Sequence, residues 1–172
     1  DLADIQEGDM ELISQPIDFY CQNIYQGTYI KSDGKGGWEE VPPKCGTPIT
    51  TMGWFYTPES LYWGAKFLYE RYHLPFYISE NGCAVTDTLT EDKKVHDVAR
   101  STYLKQYISE LDRAYKDGVD VRGYFVWSLI DNFEWYHGYT QRFGIVYVNF
   151  DTYERIPKDS YYTYRDIIKD NK

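Results

Sequence analysis

At 172 residues the chain is long enough to bury one sizeable core, and its 19% aromatic share, with 19 Tyr and 5 Trp, lies far above ordinary usage. A formal charge of −9 excludes nucleic acid and anionic membrane surfaces, both of which repel such a chain, and no apolar run reaches membrane-spanning length. Flat aromatic faces in an acidic chain suit the apolar faces of sugar rings, while Tyr hydroxyls and Trp N–H groups donate hydrogen bonds. Carbohydrate is therefore the expected ligand class.

The chain opens at Asp1 without Met, inside what reads as the tail of a helix over residues 1–13, as though cut from within a larger protein. Pro16 stops that helix, and residues 17–25 read as an apolar and aromatic strand. Asn23 and Tyr25 stand two apart at its far end, so they face one side. A long polar loop over residues 26–51 holds a Gly-rich hairpin at Asp33-Gly34-Lys35-Gly36-Gly37. Pro58 suits the first turn of a helix running to Arg71, with Leu61, Ala65 and Leu68 on its inner face.

A short apolar run, residues 74–79, then delivers Glu80 and breaks at Asn81-Gly82, a pair that permits a sharp turn with positive φ. Such a Glu either solvates a strand end or is presented in a cleft. Thr90 is the expected N-cap of a long helix striped by Leu104, Ile108, Leu111 and Tyr115, which ends at Asp117-Gly118. Residues 121–130 are nearly continuous in aromatic and branched side chains, as a strand buried on both faces should be, and they run into Asp131-Asn132-Phe133-Glu134-Trp135. Two short extended pieces follow around residues 143–150, and a last helix begins near Asp159 with Tyr161, Tyr164 and Ile168 inward.

Alternating helices and strands imply a parallel sheet with its polar functional residues at the carboxyl ends of the strands. The order fits a piece of a barrel and a small open sheet equally. Cys21, Cys45 and Cys83 are too scattered for a disulfide framework, and His73, His96 and His137 lack ligand spacing, so neither metal nor cofactor is expected. The lack of a signal peptide sets a reducing, cytoplasmic location as the expectation.

Glu80, Glu134, Tyr25, Trp127 and Trp135 converging on one mouth would match the two carboxylates and aromatic walls of glycosidic bond cleavage. Spacing alone casts Glu80 and Glu134 as nucleophile and acid. Taken singly, Trp127 serves a core as readily as a sugar site, and Tyr25 and Phe143 serve a core more readily.

Tyr77-Ile78-Ser79-Glu80-Asn81-Gly82 resembles the nucleophile motif of glycoside hydrolase family 1, the β-glucosidase family, and the run from Trp127 to Trp135 resembles its second signature. Ser14-Gln15-Pro16-Ile17-Asp18-Phe19, Thr51-Met52-Gly53-Trp54, Arg142-Phe143-Gly144 and Arg155-Ile156-Pro157-Lys158-Asp159-Ser160 also fit. The resemblance covers the whole chain and implies an α/β fold. Residues 1–172 would be one partial domain, the C-terminal portion of a (β/α)8 TIM barrel with about three βα units, strands six to eight.

It further implies a retaining mechanism that removes terminal β-D-glucosyl residues, with Glu80 as nucleophile and Tyr25 orienting it. Glu134 would not be the acid. It would accept hydrogen bonds from the C4 and C6 hydroxyls, Trp135 would donate to the C3 hydroxyl, and Trp127 would stack under the ring. Trp54 would be the leaving-group platform and Phe143 a wall of the sugar pocket, with Asn23 beside them. A carboxylate at position 134 disfavours 6-phospho substrates.

This sequence departs from the family at Cys21, Ile24 and Cys83, changes expected to alter packing, and it holds no Asn-Glu-Pro, the family's acid/base motif. A three-strand slice would expose two sheet edges, so self-association or docking with a preceding part of the barrel is the expected partnership. The alternative is a catalytically silent fragment that binds β-glucosides or small oligosaccharides. A third reading, an unrelated structural α/β domain, leaves these motifs unexplained.

Overall fold

The computed structural model describes residues 4–170. Its centre is a three-stranded parallel sheet of β1 (Tyr20–Asn23), β4 (Phe76–Asn81) and β5 (Val121–Val126), in spatial order β1-β4-β5. Strand β4 therefore lies between the other two. The register aligns Asn23 with Glu80 and Asn81 with Val126, so the three carboxyl ends finish level.

One face of the sheet is covered by α2 (Glu59–Tyr72) and α3 (Val98–Lys116). The apolar spacing on α2 buries Leu61 and Ala65, and that on α3 buries Leu104 and Leu111, against Phe76 and Ile78 of β4. Tyr103 and Tyr107 of α3 join this core with ring centroids 3.8 Å apart. Helix α4 (Asp159–Asp170) lies beside α3, and Tyr161 and Tyr164 reach the same core. Residues 26–51 carry a small antiparallel hairpin, β2 (Ile30–Ser32) with β3 (Trp38–Glu40), turned through the Gly-rich segment. A second pair joins β6 (Val146–Val148) to β7 (Arg155–Pro157), where the sequence placed both extended pieces before residue 151.

Several expectations shift, each for a physical reason. The opening helix α1 covers only Asp9–Ile13, because Gly8 takes φ 92° and none of its residues finds a surface to bury against. Residues 1–3 of the expected helix lie outside the described residues. Strand β1 starts at Tyr20: Ile17 and Phe19 before it remain exposed, Phe19 touching Tyr77 edge-on with ring centroids 5.3 Å apart. The long helix begins after Asp97, not Thr90, whose hydroxyl closes its own turn by donating to Lys94 O at 2.9 Å. Tyr115 at the far end of its stripe is exposed, as is Ile168 on α4. Strand β5 ends at Val126 and is not buried on both faces. Phe125, on the face without helices, is 58% exposed.

Candidate active site

Strand β4 runs on through Glu80 and Asn81, its register shifting beside Glu80 against both β1 and β5, so the carboxylate leaves from an irregularity within the strand and not from a left-handed turn. Gly82 has no positive φ. Its lack of a side chain matters for another reason: a Cβ there would fall 1.7 Å from the carbonyl oxygen of Trp127. The neighbouring strands close around Glu80 through main-chain bonds, Ile24 N to Glu80 O at 3.1 Å and Trp127 N to Asn81 O at 2.8 Å.

The Tyr25 phenol donates to Glu80 Oε2 at 2.6 Å, the length of a charge-assisted O–H···O⁻ bond. Burial first, then this bond and the charges of Glu80 and Glu134, hold the phenol well above its ordinary pKa, so it remains a donor. Behind it stand Trp54 and Phe143, with ring centroids 5.2 and 6.2 Å from that of Tyr25. Asn23 accepts from Ser79 Oγ at 2.7 Å, which ties β1 to β4 one residue before the carboxylate.

Past β5 the chain passes through Trp127, whose peptide bond to Ser128 is cis. Farther on, Glu134 N bonds Gly138 O at 2.7 Å and closes a tight turn over Trp135–His137. This turn holds Trp135 80% exposed at the rim. All eight residues singled out by sequence, Asn23, Tyr25, Trp54, Glu80, Trp127, Glu134, Trp135 and Phe143, line one cavity of about 570 Å³. Thr51, Met52, Tyr136 and His137 complete the lining. The adjacency of Tyr136 and His137 to Trp135 was the available signal for the last two. Phe143 is both lining and buried, with 2% of its surface exposed.

Two sets of residues that sequence reading left without a role support this cavity. The first centres on Asn81, fully buried, which donates to Ile24 O at 2.8 Å and to Tyr103 Oη at 3.0 Å and accepts from Tyr124 Oη at 2.7 Å.

The second is a buried ion network. Lys158 Nζ lies 2.5 Å from Asp87 and 2.8 Å from Asp131, while Arg100 meets both oxygens of Asp87 and also Asp97. Arg142 pairs with Asp131 at 2.5 Å, giving three cations for three carboxylates. Burial, then the charge of Arg100, pulls the Lys158 ammonium below its ordinary pKa, against the two carboxylates that favour its charged form. The network ties the loops after β4 and β5 to the start of α4, at the end of the sheet that carries the cavity.

A parallel α/β sheet that presents a phenol-bound carboxylate and an aromatic-walled cavity at its strand ends has the form of a glycosidase active face. The chain matches the sequence profile of Glycosyl hydrolase family 1 over residues 1–172 and belongs to that family. It is 48% identical over 166 residues to a 1,4-beta-D-glucan glucohydrolase of Thermotoga neapolitana, covering 96% of this chain and 37% of that protein. A Beta-glucosidase A of Acetivibrio thermocellus is 46% identical over 96% of this chain and 38% of its own length.

The solved family 1 β-glucosidase of Thermotoga maritima superposes with a TM-score of 0.85 at 46% identity, over 95% of this chain and 37% of that one. The same enzyme has been solved in complex with glucoimidazole. The chain thus spans a little over a third of the length of these relatives, and its fold is the segment of a (β/α)8 barrel that holds strands six to eight.

Proposed function

We propose that this chain supplies the nucleophile and much of the glycone pocket of a retaining β-glucosidase, and that the proton donor comes from polypeptide outside these residues. The observation that carries the reading is the 2.6 Å bond from the Tyr25 phenol to Glu80, set inside a cavity walled by Trp54, Trp127, Trp135 and Phe143. A Glu80 oxygen not engaged by Tyr25 attacks the anomeric carbon. The C1–O bond to the leaving group breaks, and that oxygen takes its proton from the external acid. The resulting glycosyl ester is then cleaved by water, whose oxygen bonds the anomeric carbon while one proton returns to the external group, and the Glu80 carboxylate leaves restored.

Tyr25 stays protonated throughout and aims the carboxylate. Glu134 accepts from the C4 and C6 hydroxyls, Trp135 donates to the C3 hydroxyl, and Trp127 stacks beneath the ring. Asn23, tied to Ser79, borders the same pocket. The Glu134 charge disfavours a 6-phosphorylated sugar. Three free thiols, two of them exposed, support a reducing, cytoplasmic setting. The lack of Asn-Glu-Pro in the chain favours a second reading, that these residues alone bind sugar without turning it over.

An activated 2-deoxy-2-fluoro glucoside separates the two readings. Intact-protein and peptide mass spectrometry should find one fluoroglucosyl unit on Glu80, because a good leaving group needs little protonic help. Binding of the probe with no ester at Glu80 would leave the silent reading standing in place of the first.

A further inference from the structure

Tyr25 reaches Glu80 from the end of β1, one residue past the last main-chain bond to β4, Ile24 N to Glu80 O at 3.1 Å. Something else must hold its main chain. The Tyr103 hydroxyl, brought up from α3, donates to Tyr25 O at 3.0 Å and accepts from Asn81 Nδ2 at 3.0 Å. Asn81 directs its second N–H to Ile24 O at 2.8 Å, so two consecutive carbonyls of the segment bearing the phenol are held from beneath. Tyr103 is only 1% exposed, and its ring is fixed by stacking on Tyr107 and by the edge of Tyr56 at 5.2 Å. A hydroxyl so placed has little freedom to turn elsewhere.

We propose that Tyr103 is a positioning residue for the nucleophile: its hydroxyl, itself held by Asn81, bonds the Tyr25 carbonyl directly and fixes the Tyr25 main chain at the distance from which the phenol aims Glu80. The proposal rests on the reading of Glu80 as nucleophile. It assigns to α3, a helix on the far side of the sheet core, a part in the chemistry at the strand ends. Hydrophobic burial accounts for the Tyr103 ring. The hydroxyl is explained by the carbonyl it holds, since a buried C=O left without a donor is costly.

The test is a double-mutant cycle on ester formation with the same fluoroglucoside, in the protein that carries this chain. Tyr103→Phe keeps the ring and its stacking. It should slow ester formation at saturating probe by about tenfold, the loss of one charge-linked hydrogen bond, while the half-saturating concentration changes less than twofold. In a Tyr25→Phe background the same substitution should add nothing, because the phenol it positions is gone.

Tyr56→Phe serves as the control. It removes a hydroxyl from the same aromatic cluster, one directed at Cys83 Sγ instead. Additive slowing in the double variant, or equal slowing by Tyr56→Phe, overturns the proposal. Crystal structures of the wild type and Tyr103→Phe decide it without chemistry, whether or not the probe labels Glu80. A Tyr25 oxygen still within hydrogen-bond distance of Glu80 in the variant overturns the role, and a displaced one supports it.

Discussion

Gly82 shows how a residue can be read correctly and explained wrongly. Asn-Gly after an apolar run marks a turn in sequence, yet the backbone here needs no left-handed angle. It needs room for Trp127 O, which passes 1.7 Å from the place a Cβ would occupy. The obstacle is main chain on both sides and cannot rotate away. Gly82→Ala should therefore destabilise the fold by about 3 kcal/mol or more, read as a lower urea midpoint, and should impair labelling of Glu80, which lies two residues away. The pairing of Tyr25 with Glu80 was similarly out of reach of spacing, which gave the shared side of Asn23 and Tyr25. Residues 55 apart meet only once β1 and β4 are placed in parallel register, and the family motifs supplied that link.

At the scale of elements, the sheet and the helix stripes were legible because burial follows periodicity. The start of α3 was not, because it is decided by residues far away in sequence. Asp97 accepts from Ser160 N at 2.8 Å, 63 residues on, and this contact with α4 together with Arg100 sets where the helix begins. Thr90 had the right side chain for an N-cap but no such partners. Lys158 is the cation that joins Asp87 and Asp131, two of the three carboxylates of this ion network, and both have side chains with no exposure. Lys158→Met would leave Asp87 and Asp131 one cation short in the interior. A loss of about 3–5 kcal/mol is expected, measured by denaturant titration, with the β7–α4 segment the first to lose amide protection.

Across the whole molecule the abundance of tyrosine has a consequence for pH. Burial pushes the phenols of Tyr25, Tyr56, Tyr103, Tyr107, Tyr124 and Tyr164 above their ordinary values, and it pushes the Cys83 thiol up to about 12. Each raised group stabilises the fold fully below its unfolded pKa, and that contribution is lost as pH climbs toward the folded value. For the tyrosines the loss begins near pH 10, where an unfolded phenol ionises and the folded one does not, at up to about 1.4 kcal/mol per pH unit for each group. Stability measured by urea titration should thus be flat through neutrality and fall steeply in strong alkali, with the phenolate absorbance of these tyrosines appearing together with unfolding. Titration of these phenols in the folded protein well before unfolding would contradict this account.

The position of β4 between β1 and β5 carries one more implication. The reacting carboxylate belongs to the innermost of three ribbons, while the outer two each keep one flank unpaired within this sheet. Fraying or docking at either flank must propagate across an entire neighbouring ribbon before it disturbs Glu80. The most exacting atoms of the molecule are thereby insulated from its roughest margins, and whatever seals those margins acts on the pocket through Tyr25 on one side or Trp127 on the other.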